Sequence, residues 1–126
     1  MKSTTALRIA AVTGFLAVAL GAFGAHGLTR LLEANQRTAT WQTAAHYHLV
    51  HAVVLLVLAL RPTVTRLSFT LFVAGIVIFS GSLYLLAVTN IRWLGAITPI
   101  GGACLIAGWL ALAICPRERS AEPSAK

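Results

Sequence analysis

Three histidines within six residues, His46, His48 and His51, are the side chains whose type and spacing first suggest chemistry, since imidazole ligates metals and carries protons near neutral pH. At 100° per residue along a helix, His48 and His51 share a face with Ala44 and Leu55, while His46 points roughly the opposite way. One helix therefore offers two ligands, and His26 adds a third only if its own helix ends beside them. No carboxylate or thiol falls at the same depth to complete a shell, so no metal and no cofactor is expected. Ser80 and Ser82 similarly lack the orienting acid a nucleophile needs, and the chain is not expected to be an enzyme. Its only acids are Glu33, Glu118 and Glu122.

The hydroxyl-bearing residues extend the pattern. Tyr47 sits among the histidines, Ser80 and Tyr84 are four apart on one helical face, and Thr98, Gly101, Gly102, Leu105 and Trp109 share a side further on. The candidate site is therefore His26, Tyr47, His48, His51, Ser80, Ser82, Tyr84 and Thr98. Two readings compete for these residues. They line an outward-facing polar pocket that binds or passes a small molecule, ion or lipid headgroup, or they are interhelix hydrogen-bond glue, each bond worth about 0.6–2 kcal/mol.

Such residues must be positioned by elements that water does not solvate. Of the 126 residues 58% are hydrophobic and 10% charged, against about 25% charged in a soluble domain. Four charge-free runs, 9–29, 38–60, 67–91 and 93–116, each exceed the roughly 20 residues a helix needs to cross a bilayer. The expected fold is all-α: a polytopic membrane protein with a four-helix antiparallel bundle as one domain, 1–119. Its spans are near 7–28, 44–60, 67–89 and 95–115, and 120–126 form a flexible tail. Three further spans, and small residues at Ala10, Gly14, Ala17, Gly21 and Ala25, argue that the first run is a packed helix and not a cleaved leader.

The net charge of +7 comes from single basic residues between apolar runs, which anchor to lipid headgroups and give no nucleic-acid patch. Seven of the ten Lys and Arg lie at the N-terminus, the middle loop and the tail, so the positive-inside rule places both termini in the cytoplasm of an inner (plasma) membrane protein. That orientation puts the polar residues in the outer half and leaves the inner half to Leu, Val, Ile and Ala. The bilayer is the expected partner, with a homo-oligomer or a larger membrane complex beside it.

Local signals refine the plan. Arg61-Pro62 ends the second helix and Thr89-Asn90-Ile91-Arg92 makes a tight turn. The segment 29–43 is expected to hold a short surface helix, with Trp41 at headgroup depth. Thr98-Pro99 reads as a helix start, leaving Trp93 to Ala96 as an interfacial lead-in. Two glycines flank His26, and a continued helix turns it about 150° from the small-residue stripe. Cys104 and Cys115, roughly 16 Å apart on a helix, cannot pair.

Four segments carry a resemblance: Gly21 to Leu28 around His26; Trp41 to Ala44 with Tyr47, His48, His51 and Ala52; Phe79 to Tyr84; and Thr98 to Gly102 with Gly108-Trp109. Together they resemble the small four-helix membrane family catalogued as domain of unknown function 423, whose bacterial members are called YgdD-like. The resemblance implies the four-span fold and points to His26, Tyr47, His51, 80–84 and 98–102, with positions 46 and 48 open to Glu, Gln or other residues. It implies no biochemical activity.

Overall fold

In the computed structural model, residues 3–62 and 65–114 are described. They fold into an up-down antiparallel bundle: α1 (Ser3–His26), a short α2 (Thr29–Ala34), α3 (Thr38–Ala59), α4 (Arg66–Gly75), a π-helical turn (Ile76–Ser80), α5 (Gly81–Thr89) and α6 (Leu94–Ile114). The segments from Arg66 to Thr89 run on as one membrane-length span, giving four spans of 21 to 24 residues. Their apolar faces have no aqueous alternative, and only a helix satisfies its backbone groups within a single segment without water. Positions 120–126 and Cys115 lie outside the described residues.

The α2–α3 and α5–α6 connections are closed by side chains. Asn90, in the left-handed conformation at φ 55°, ends α5, a conformation Asn tolerates better than most residues. The Asn35 side-chain amide donates to the carbonyls of Ala87 and Val88 at 2.9 and 3.0 Å, and Arg37 Nε donates to Asn90 Oδ1 at 3.0 Å. These bonds take up carbonyls that the end of α5 leaves orphaned and fasten the α2–α3 connection over it.

α3 packs on α1 to one side and on α4, the π turn and α5 to the other, and α6 packs along that kinked span. Glycines line the α6 seam. Gly101 lies against the Phe79 backbone, Gly75 against Leu105, and Gly108 against the Phe72 ring. Small residues let helices approach closely where lipid supplies no hydrophobic drive between them.

Four expectations are corrected. α3 begins at Thr38, not near 44, because Trp41 is its fourth residue and a core residue: it is buried over Gly24, and its indole N–H donates to the Leu20 carbonyl at 3.1 Å. It is not a headgroup anchor. α6 begins at Leu94, not at Thr98-Pro99, since the N–H groups of Leu94, Gly95 and Ala96 bond back to Ile91, Arg92 and Trp93 in a tight first turn. Pro99 then lies inside the helix and withholds an N–H from the Gly95 carbonyl. On α1 the packed stripe is Ala6, Ala10, Ala17 and Gly24, while Gly14, Gly21 and Ala25 border open space or the surface. Finally, the buried polar residues do not fill one half of the bundle. His48, His51, Ser80 and Ser82 lie between one apolar cluster that includes Ala6, Leu55, Phe69, Phe72 and Leu105 and a second of Leu32, Trp41 and Ala87, while Ser68 lies at the opposite end beside Phe69.

Candidate functional site

The polar level sits near mid-span. His48 is ten residues from Thr38, roughly 15 Å along a helix of 22 residues. Four interhelix hydrogen bonds are spread along the bundle on either side of it, the two on α6 roughly 16 Å apart: His48 Nδ1 with the Tyr84 hydroxyl at 3.1 Å, Ser80 Oγ to the Ala44 carbonyl at 2.9 Å, Ser82 Oγ with Thr98 Oγ1 at 2.7 Å, and Trp109 Nε1 to His51 Nε2 at 3.2 Å.

His51 is fully engaged. Its Nδ1 lies 2.8 Å from the Tyr47 carbonyl and must donate there, which leaves Nε2 as the acceptor for the Trp109 indole. Both ring nitrogens are therefore committed in one neutral tautomer, and the ring is packed on Phe72 and Trp109. A protonated ring would present a second N–H to the indole donor, and a metal would displace one of the two partners. Helix phase alone had grouped His51 with His48; the difference between them comes from Trp109, which sits on another helix 58 residues away.

His48 differs because, besides the Tyr84 hydroxyl and a hydrogen bond with the Thr13 backbone, its ring faces a cleft. It is buried on α3, yet it forms the floor of a cleft of about 240 Å³ between α1 and the kinked span. Thr13, Leu16 and Leu20 make the α1 wall, and Val73, Ile76, Val77, Gly81 and Tyr84 the opposite one, with Ser80 beside the floor. Leu16 and Val77 are exposed, 44% and 66%, so the cleft opens through the side of the bundle and not at its end. Tyr84 is held in place by Trp41, with ring centroids 4.6 Å apart.

The structure thus gathers three of the eight candidates, His48, Ser80 and Tyr84, at one cleft. Ser82 and Thr98 join α5 to α6 away from it, and Tyr47 lies half-exposed over His51 and Phe79. His26 is exposed at the end of α1. Thr13 and Asn35 were not singled out from the sequence: a lone threonine or asparagine has no periodic signal, and only the fold gives either one its neighbours. Among the described residues, no three His, Cys, Asp or Glu side chains converge. The Ser68 hydroxyl is buried without a partner among them, the carbonyl four residues before it belonging to Val64, outside them.

Four membrane-length apolar helices define a small multi-pass membrane protein. The chain belongs to the family described as "Protein of unknown function (DUF423)", which it matches over residues 20–102. It is 43% identical over 113 residues to the UPF0382 membrane protein YwdK of Bacillus subtilis, covering 84% of this chain and 90% of that one. To the UPF0382 inner membrane protein YgdD of Escherichia coli it is 41% identical over 115 residues, covering 86% of each. A UPF0382 membrane protein of Haemophilus influenzae is 42% identical over 112 residues, covering 85% of this chain and 89% of that one. No solved structure matches.

Proposed function

We propose that the chain is a binding protein whose lateral cleft receives a lipid-like molecule directly from the bilayer. The observation that carries this reading is one cleft combining aliphatic walls on two spans with the His48–Tyr84 hydrogen bond as floor. A mouth on the side of the bundle serves a ligand dissolved in the membrane better than one arriving from water. The remaining polar pairs then have the simpler role of joining helices. Catalysis is not part of the proposal: Glu33, the acid among the described residues, is exposed on α2, and His51 has no free nitrogen to act as a base.

Extraction into polymer nanodiscs followed by lipid analysis tests the reading. The wild-type chain is expected to retain one amphiphile above its share of the bulk membrane, and Leu16→Trp, which fills the mouth, to lose it. Identical lipid profiles for the two would refute it. The same reading places the protein in the inner membrane with both termini cytoplasmic, on the strength of the basic residues and the inner-membrane relative.

A second reading, an accessory subunit of a homo-oligomer or larger complex, draws support from α1. This helix packs closely on α3 and on α2 and leaves Val12, Phe15, Val18 and Phe23 more than half exposed. Mild-detergent purification that brings down a stoichiometric membrane partner would favour it; a monodisperse monomer would count against it.

A further inference from the structure

The geometry points to an uncharged ligand for this cleft: a lipid whose buried end carries a hydroxyl or carbonyl oxygen, as in the isoprenoid alcohols and the quinones, and not a phospholipid or a fatty carboxylate. The inference rests on the cleft reading above and narrows it by chemistry.

Among the described residues no Lys or Arg lines the cleft. A phosphate or carboxylate brought to this depth would be an unpaired charge in hydrocarbon, which membrane interiors strongly disfavour. A neutral group needs only hydrogen bonds, and the hydrogens the cleft can supply are few. Ser80 Oγ already donates to the Ala44 carbonyl and Thr13 Oγ1 to the Ile9 carbonyl at 2.7 Å. The His48–Tyr84 pair remains.

A neutral imidazole and a phenol bring two polar hydrogens between them, and one is used in the bond at 3.1 Å. If the phenol donates to Nδ1, the imidazole Nε2–H and a phenol lone pair are left over. If Nδ1 carries the hydrogen, the phenol O–H and the Nε2 lone pair are left over. Once the ligand takes the place of the Thr13 carbonyl at the ring, either tautomer presents one donor and one acceptor. A hydroxyl can use both, and a carbonyl can use the donor. Without a ligand the imidazole N–H is hydrogen-bonded to the Thr13 backbone carbonyl; that carbonyl has the α1 helical bond in any case, so a ligand oxygen can replace it at the ring without orphaning it. The volume agrees: about 240 Å³ is the liquid share of roughly eight waters, which suits a ring or a short branched chain and not a phospholipid headgroup with two tails.

The test is binding by the full chain in detergent, read as thermal shift and by native mass spectrometry, with farnesol, decylubiquinone, palmitate and decyl phosphate as probes. Farnesol, decylubiquinone or both are expected to bind saturably, at concentrations at least tenfold below those needed for the two anions. A response to farnesol alone identifies a hydroxyl lipid and one to decylubiquinone alone a ring carbonyl. Tyr84→Phe keeps the ring against Trp41 but removes the hydroxyl, and is expected to weaken binding about tenfold. His48→Gln, which keeps a donor and an acceptor, is expected to stay within about threefold, and His48→Phe to fall with Tyr84→Phe. Melting of each unliganded variant shows that it has folded. Equal or tighter binding of palmitate or decyl phosphate, no binding of either neutral probe, or indifference to Tyr84→Phe overturns the inference. If the nanodisc experiment still finds an enriched phospholipid lost in Leu16→Trp, the cleft reading survives and only the ligand class fails; with no enriched lipid, both fail.

Discussion

A single methyl group at Gly101 tests the seam between α6 and the kinked span. A Cβ there would press on the Phe79 backbone nitrogen and stand 2.7 Å from its Cα and 2.8 Å from its Cβ. Carbon atoms rest at about 3.5–4.0 Å, so the helices must part by roughly 0.8 Å. The obstruction is backbone, which cannot change rotamer to make room. Gly101→Ala is expected to cost about 1–3 kcal/mol, the usual range for overpacking, despite the better helix propensity of alanine. The adjacent Gly102→Ala supplies the control, because its Cβ would meet only the Phe79 ring at 3.7 and 3.8 Å, an ordinary contact. Gly14→Ala, with nothing within 4 Å, is expected to be neutral or stabilising by about 0.5–1 kcal/mol. Reversible unfolding in mixed micelles, titrated with a denaturing detergent and followed by circular dichroism, measures all three. If Gly101→Ala unfolds with the same midpoint as Gly102→Ala, the two helices are not in the register described and the Ser82–Thr98 bond falls with it.

Other consequences can be read from the same assay or from labelling. Trp109→Phe leaves the His51 Nε2 without its donor and is expected to destabilise by about 0.6–2 kcal/mol; no change would mean that this bond is not formed. Asn35→Ala removes two donors from the end of α5 and is expected to cost about 1–2 kcal/mol, while Asn35→Asp, which has no N–H to offer, is expected to do no better. With Cys104 and Cys115 replaced by Ser, a cysteine at Asn90 is expected to react with a membrane-impermeant maleimide on intact cells and one at Ser3 only after permeabilisation. The opposite pattern would invert the proposed orientation.

Four spans were legible in the sequence because hydropathy over twenty residues is a property of composition and no packing detail can hide it. Boundaries were less legible wherever a residue had two plausible environments. Trp41 reads equally well as an interfacial anchor or as core, and what decides it is Gly24, seventeen positions earlier, whose missing side chain makes room for the indole. Thr98-Pro99 has the chemistry of a helix start, but Trp93 and Leu94 supply the turn first. The shared face of His48 and His51 followed from helix phase, and the structure buries both. Their different circumstances did not follow, since one depends on Trp109 and the other on the gap between α1 and the kinked span.

The π turn explains why polar groups gather where they do. Gly81 N–H reaches the Ile76 carbonyl, five residues back, so one extra residue is accommodated and the face presented by the span shifts. Ser80 and Ser82, only two apart, would point to opposite sides of any helix; here one meets the Ala44 carbonyl on α3 and the other Thr98 on α6, so both sides are met by a neighbouring span. The Ser82 hydroxyl also lies 3.0 Å from the Phe79 carbonyl within the turn, supporting an irregular backbone where no water can. The same segment contributes Ile76, Val77 and Ser80 to the cleft, followed by Gly81, and a Cβ at Gly81 would meet nothing within 4 Å. A disturbance that straightened this turn would therefore be felt at the α3 bond, the α6 bond and the cleft together. Binding in the cleft and the packing of the third span are in that sense one equilibrium.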